Sequence, residues 1–133
     1  MFVSKAPTPL TIREYITSGG VSPFRDWLDT LDAKVKARIQ ARVLRFETGN
    51  LGDHKSVGAG VWEARLVFGP GYRIYFGKDG KTVILLLAGG TKPSQKGDIS
   101  QAQAYRREYL EAKRHGKTKQ GLERGTREGL SRS

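Results

Sequence analysis

Cysteine is absent from this 133-residue chain, which excludes disulfide scaffolds and thiolate zinc sites. Histidine is scarce. His54 and His115 stand far apart, so an all-protein zinc site is not expected, nor is any other metal or cofactor. Long hydrophobic runs are missing too: the longest, Val83–Ala88, falls far short of the roughly 20 residues that span a bilayer. The opening Met1-Phe-Val-Ser-Lys-Ala-Pro7 lacks the apolar stretch of a secretory signal, so a soluble cytoplasmic protein is expected. Acidic residues are the other shortage. Only 13 Asp and Glu stand against 24 Lys and Arg, a net charge of +11, and such a surface is drawn to polyanions or to an acidic protein partner.

What is present reads as one domain. Leu10–Thr17 places Leu10, Ile12 and Ile16 on one side and Tyr15 on the other, the alternation of a strand. Ser22-Pro23 is an N-cap followed by proline at the first helical position, which predicts a short helix Pro23–Leu31. Asp32 caps a second helix, Ala33–Thr48. Its Val35, Ile39, Val43 and Phe46 form a core stripe, and Lys34, Arg38, Arg42 and Arg45 form a basic one. Gly52, Gly58 and Gly60 make Leu51–Gly60 a loop by composition. Three strands then follow as a meander: Val61–Phe68, Tyr72–Phe76 and Thr82–Ala88. The last is continuously aliphatic, as a central strand covered on both faces is.

A final helix is predicted from about Gln95 to Arg114, with Ile99, Ala102, Tyr105 or Arg106, and Tyr109 at helical spacing. Composition divides the chain into a domain over 1–114 and a basic, glycine-rich tail over 115–133, too poor in apolar side chains to dock firmly. Residues 1–110 hold 17 basic and 10 acidic side chains, so most of the excess charge belongs to the domain. The expected class is α+β: an N-terminal strand and an αα-hairpin packed on a small antiparallel sheet, with a C-terminal helix.

No Ser-His-Asp arrangement, phosphate-binding glycine loop or spaced carboxylate pair stands out. The informative residues lie on the strands. Arg65 and Arg73 fall on the polar side of neighbouring strands, and Lys92 lies just past the end of the third. Three cations on one rim suit phosphate binding and the stabilisation of a phosphorane-like transition state. Tyr75, on the same face, offers a ring for a base to stack on. On an open face, Arg73→Ala is expected to abolish function while leaving the fold intact.

Two segments carry a resemblance. Trp62-Glu-Ala-Arg-Leu-Val-Phe-Gly-Pro-Gly-Tyr-Arg-Ile-Tyr-Phe76 and Val83-Ile-Leu-Leu-Leu-Ala-Gly-Gly-Thr-Lys-Pro-Ser-Gln-Lys-Gly-Asp-Ile99, with Ser22–Leu28 and Ala37–Arg42 before them, resemble the RelE/ParE toxin superfamily. The likeness is to its HigB-like addiction module killer branch and covers about residues 9–110. It implies a type II toxin neutralised by a helix-turn-helix antitoxin encoded beside it. RelE-like members act on the ribosome as metal-independent endoribonucleases, in which a 2′-hydroxyl attacks its own phosphate to leave a 2′,3′-cyclic end. In those terms Arg73 matches the central arginine of the Gly-Tyr-Arg motif, Arg65 a functional basic position on the preceding strand, and Lys92 a basic residue after the last strand. The basic stripe Lys34, Arg38, Arg42 and Arg45, with Tyr75, would contact RNA or ribosome.

Glu63 departs from the pattern, which has lysine there, and Asp98 falls near a position that is tyrosine. Arginine, with a pKa above about 12, is a poor base, so the proton acceptor stays open among Lys92, Glu63, His54 and Asp98. ParE-like members of the same superfamily poison DNA gyrase without cutting RNA, and a basic RNA-binding protein without chemistry is a third reading.

Overall fold

A computed structural model describes residues 9–116 of the chain. The elements run β1 (Thr11–Glu14), α1 (Pro23–Asp29), α2 (Ala33–Glu47), β2 (His54–Gly58), β3 (Val61–Leu66), β4 (Tyr72–Asp79), β5 (Val83–Thr91), a 3-10 turn (Lys92–Ser94) and α3 (Gln95–Gly116). The predicted caps act as such. The Ser22 hydroxyl accepts from the Arg25 amide at 3.1 Å, and the Asp32 carboxylate from the Val35 amide at 3.0 Å.

The class is α+β, and the sheet is mixed rather than antiparallel. Its five strands lie in the order β1-β5-β4-β3-β2, with β1 parallel to β5 and every other pair antiparallel. The chain leaves β1 through the αα-hairpin, builds the other strands, and returns β5 beside β1. That is the long excursion a parallel pair requires. The stretch expected to be a loop also contains a strand. His54–Gly58 pairs with Val61–Ala64 through a bulge between Ser56 and Gly58, and its glycines hide an edge strand that forms only against β3.

Both faces of the sheet are buried. On one, Phe24, Leu28, Ile39 and Phe46 from the helical hairpin meet Ala64, Leu66, Ile74, Phe76, Ile84 and Leu86. On the other, Tyr15, Val61, Tyr75, Leu85, Leu87 and Ala88 lie under α3, where Ala102 is buried and Ile99, Tyr105 and Tyr109 pack around it. The continuous aliphatic pattern of β5 is the record of this double coverage. His115 and Gly116, which composition assigns to the tail, close α3. The rest of that tail, 117–133, lies outside the described residues, as does the expectation that it docks weakly. Among the described residues no helix is long and apolar enough to cross a membrane.

Gly89 and Gly90 let both layers close. A Cβ on Gly89 would stand 2.0 Å from the Trp27 ring, and one on Gly90 would stand 1.8 Å from the Asp98 carboxylate on the opposite face. Gly89→Ala should destabilise the protein by about 1–3 kcal/mol, because the indole is wedged between α1 and β5 and must move bodily. A urea midpoint within error of the parent would refute this.

α3 is tied down at its far end by Asp79, which accepts from the Tyr109 hydroxyl and from Lys113 at 2.7 Å. Burial pushes the Asp79 carboxyl up, but the Lys113 and Tyr109 hydrogen bonds outweigh it and hold the group below its ordinary 3.8. A depressed carboxylate stabilises the fold above its ordinary value and ceases to as pH falls through the folded one. The C-terminal turns of α3 should therefore loosen below about pH 4. Hydrogen exchange on either side of that pH checks this, and Asp79→Asn should remove the acid step.

Candidate functional site

The register sets one row across three strands. Arg65 stands opposite Arg73, and Arg73 opposite Gly90. Directly opposed like charges repel, and each arginine turns to a different carboxylate. Arg65 reaches Asp53 at 3.3 Å and stays 40% exposed at its side chain. Arg73 turns to Glu63, one row along the strands, with Nε 3.4 Å from Oε2. This contact is an ion pair without hydrogen-bond alignment, since Arg73 Nε makes no aligned bond.

Glu63 is fully buried and Arg73 is 8% exposed. The carboxylate gathers further donors on the same oxygen: the Tyr75 hydroxyl at 3.2 Å and Gln95 Nε2 at 2.7 Å, while Oε1 is without a partner. Burial and then the Glu63 charge drive the Tyr75 hydroxyl well above its ordinary pKa, so it stays a neutral donor. On its other side, Arg73 Nη1 donates to the Gly71 carbonyl at 2.9 Å. Nη2 has no protein partner among the described residues.

Lys92 opens the 3-10 turn and is exposed. A point one Cβ away from Gly71, whose φ is +82°, lies 3.1 Å from Arg73 Nη1 and 3.6 Å from Lys92 Cβ, so the two cations flank the same glycine. Asp98 occupies the space that a β5 side chain would fill at Gly90, where it accepts from the Ser94 hydroxyl. Arg65, Arg73, Lys92 and Asp98 thus share one rim of the sheet at the start of α3.

Other expected residues are placed differently. Tyr75 is completely buried beneath α3 and offers no ring to a base. The polar side of β3 and β4 looks open when only the strands are considered, and α3 covers it. Arg42 is not part of a solvated stripe. It is 7% exposed and donates through Nη1 to the Arg65 carbonyl at 2.8 Å and through Nη2 to those of Leu51 and Asp53 at 3.2 and 2.9 Å. Burial, with Arg45 nearby, pulls its pKa down from the usual arginine value. Lys34, Arg38 and Arg45 are exposed, and the Arg38 guanidinium sits 3.7 Å over the Phe68 ring.

His54 packs against Trp62 and Phe76 on the αα-hairpin face, across the sheet from Arg73. Asp53 and Gln95 escape sequence reading as members of the site. Each acts at long range, Gln95 across 32 positions, and no local pattern announces such a partner. Among the described residues no group of three or more Asp, Glu or His is placed to hold a metal ion. A cleft of about 580 Å3 opens between β1 and the hairpin helices, over Ile12, Phe24, Leu28 and Leu86, on the face opposite the arginines.

No family model matches the chain. Over 80 residues it is 44% identical to an uncharacterized protein of Haemophilus influenzae (strain ATCC 51907 / DSM 11121 / KW20 / Rd), spanning 59% of this chain and 81% of that one. The two belong to one family. That kinship carries no statement of chemistry.

Proposed function

We propose that this chain is a type II toxin: a cytoplasmic, ribosome-dependent mRNA endoribonuclease of the RelE/ParE superfamily, restrained by an adjacently encoded helix-turn-helix antitoxin. The observation that carries the reading is Arg73. Its guanidinium is buried, paired with Glu63 at Nε and hydrogen-bonded to the Gly71 carbonyl at Nη1, beside the glycine that Lys92 also flanks and across the strand pair from Arg65. A preorganised cationic N–H donor of this kind stabilises charge that develops on phosphate oxygens.

In the proposed reaction the 2′-hydroxyl oxygen bonds to the adjacent phosphorus and the bond to the 5′-oxygen breaks. Arg73 and Arg65 share the added negative charge. Glu63 is enclosed and His54 lies across the sheet, which leaves Lys92 and Asp98 on the rim to accept the proton. Asp98 is assigned the 2′-hydroxyl proton, and Lys92 the protonation of the leaving oxygen. The ribosome supplies the in-line bend of the substrate, an orientation effect of at most about 7–11 kcal/mol. Lys34, Arg38 and Arg45 contribute screened contacts to RNA phosphates.

Purified protein should therefore cut translating mRNA, leave naked RNA nearly intact and produce 2′,3′-cyclic phosphate ends. Primer extension and end-group analysis on programmed ribosomes read both. Asp98→Asn should lower the single-turnover rate by about 10²-fold at unchanged ribosome affinity. Inhibition of gyrase supercoiling without RNA cleavage would turn the reading to a ParE-like poison, and RNA binding without either activity to a non-catalytic protein.

A further inference from the structure

We infer that Glu63 is the positioning residue of this site: its enclosed carboxylate, itself held by Tyr75 and Gln95, sets the plane of the Arg73 guanidinium and so aims Nη2 at the ligand. Glu63 does not meet substrate. It is fully buried, and its cation partner is Arg73.

Three features carry the inference. First, the pairing is diagonal. The residue directly opposite Arg73 is Arg65, and the one opposite Glu63 is Tyr75, so Arg73 leans along the strands toward Glu63 and away from the like charge. Second, one carboxylate oxygen does all the holding. Oε2 receives Tyr75, Gln95 and the Arg73 contact, whereas Oε1 has no partner. A carboxylate serving only fold stability is expected to satisfy both oxygens, since an unsatisfied buried acceptor is costly. Third, a buried ion pair is a poor stabilising device, because apolar residues of similar volume commonly do as well or better. What the pair does is draw Nε toward Glu63 while Nη1 is held by the Gly71 carbonyl, so that the two contacts together restrict how the guanidinium turns. Gln95 adds a consequence: it is the first residue of α3, so the docking of that helix and the orientation of Arg73 are linked through one carboxylate.

The test uses the 15N-labelled full chain, the variants Glu63→Gln and Tyr75→Phe, and inorganic phosphate as probe. The Nε–Hε signal of Arg73 should be resolved and slowly exchanging in the parent, and phosphate should shift it. Glu63→Gln should collapse that signal toward those of exposed arginines and weaken phosphate binding several-fold. Electrostatics alone gives the opposite sign, since losing a carboxylate makes the rim more positive and should tighten an anion.

Single-turnover cleavage should fall about 10²-fold, the scale of a misaimed catalytic contact, with ribosome affinity unchanged. This kinetic arm alone rests on the nuclease reading. A parent that never cleaves, with the Arg73 signal and phosphate affinity responding as stated, defeats that reading and leaves the inference standing. A cleaving parent matched by Glu63→Gln, or an Arg73 signal unmoved in that variant, overturns the inference. Should Glu63→Gln fail to fold, Tyr75→Phe decides. It keeps the ring and the ion pair and removes one donor, and it should perturb the Arg73 signal and slow cleavage about tenfold, the worth of one hydrogen bond. An unperturbed signal in Tyr75→Phe overturns the inference.

Discussion

Arg73→Ala is expected to cut ribosome-dependent cleavage by about 10²–10³-fold and also to destabilise the protein by about 3–5 kcal/mol. On the proposed nuclease reading, the first effect follows from losing the guanidinium donor that would stabilise the developing phosphate charge. The second is invisible in the sequence, where Arg73 looks like an exposed strand residue removable with the fold intact. In the structure its partner Glu63 is fully buried, and Arg73 is the cation paired with it. Removing the guanidinium strands a carboxylate inside the core. Arg73→Lys separates the two effects: it leaves a positive charge over Glu63 and restores much of the stability, while a single ammonium cannot hold the two-point geometry and cleavage stays low. Urea unfolding and primer extension on the same preparations check both. An Arg73→Ala protein as stable as the parent would show that Glu63 is not sealed as described, and one that cleaves as well would remove Arg73 from the chemistry.

Arg42→Ala should cost about 3 kcal/mol, a core-sized loss from a residue of the nominal surface stripe. Hydrogen bonds to charged groups contribute about 1.5–3 kcal/mol each, and partial rehydration of the freed carbonyls discounts the three involved. The guanidinium joins α2 to the segment before β2 and to β3 through the carbonyls of Leu51, Asp53 and Arg65. Its loss should therefore loosen Asp53 as well, and with it the ion pair that holds Arg65. Lys34→Ala and Arg45→Ala, on the same nominal stripe, should change stability by no more than about 0.5 kcal/mol and should instead weaken ribosome association with a shallower salt dependence. Thermal melts of the three variants, set beside salt-dependent ribosome pelleting, test the division. Equal stability losses at Arg42 and Arg45 would refute it.

Much of the architecture was legible because it is written in local signals. Ser22-Pro23 and Asp32 start helices through hydrogen bonds to amides three residues on. The alternation of Trp62, Ala64 and Leu66 against Glu63 and Arg65 matches the two faces found, as does that of Ile74 and Phe76 against Arg73 and Tyr75. Strand β2 was not legible. Its glycines argue for a loop, and only the ladder offered by β3 overrides them. The parallel pairing of β1 with β5 joins residues some seventy positions apart, and no periodicity encodes a partner at that distance.

The site divides the same way. Periodicity alone put Arg65 and Arg73 on one side of the sheet with Lys92 near its rim, because strand alternation and a short turn are local geometry. Charge and amphipathicity likewise put Lys34, Arg38 and Arg45 on the outside of α2. Whether a polar face stays open, however, depends on what packs over it. α3 buries Tyr75 and Glu63, and Arg42 is buried by three carbonyls, two from the chain between α2 and β2 and one from β3. A sequence pattern reports which side of an element a residue occupies. Burial is set by a second element arriving from elsewhere in the chain, and that arrival turned one stripe cation into a staple, one tyrosine into a buried donor, and Glu63 into the anchor beneath Arg73.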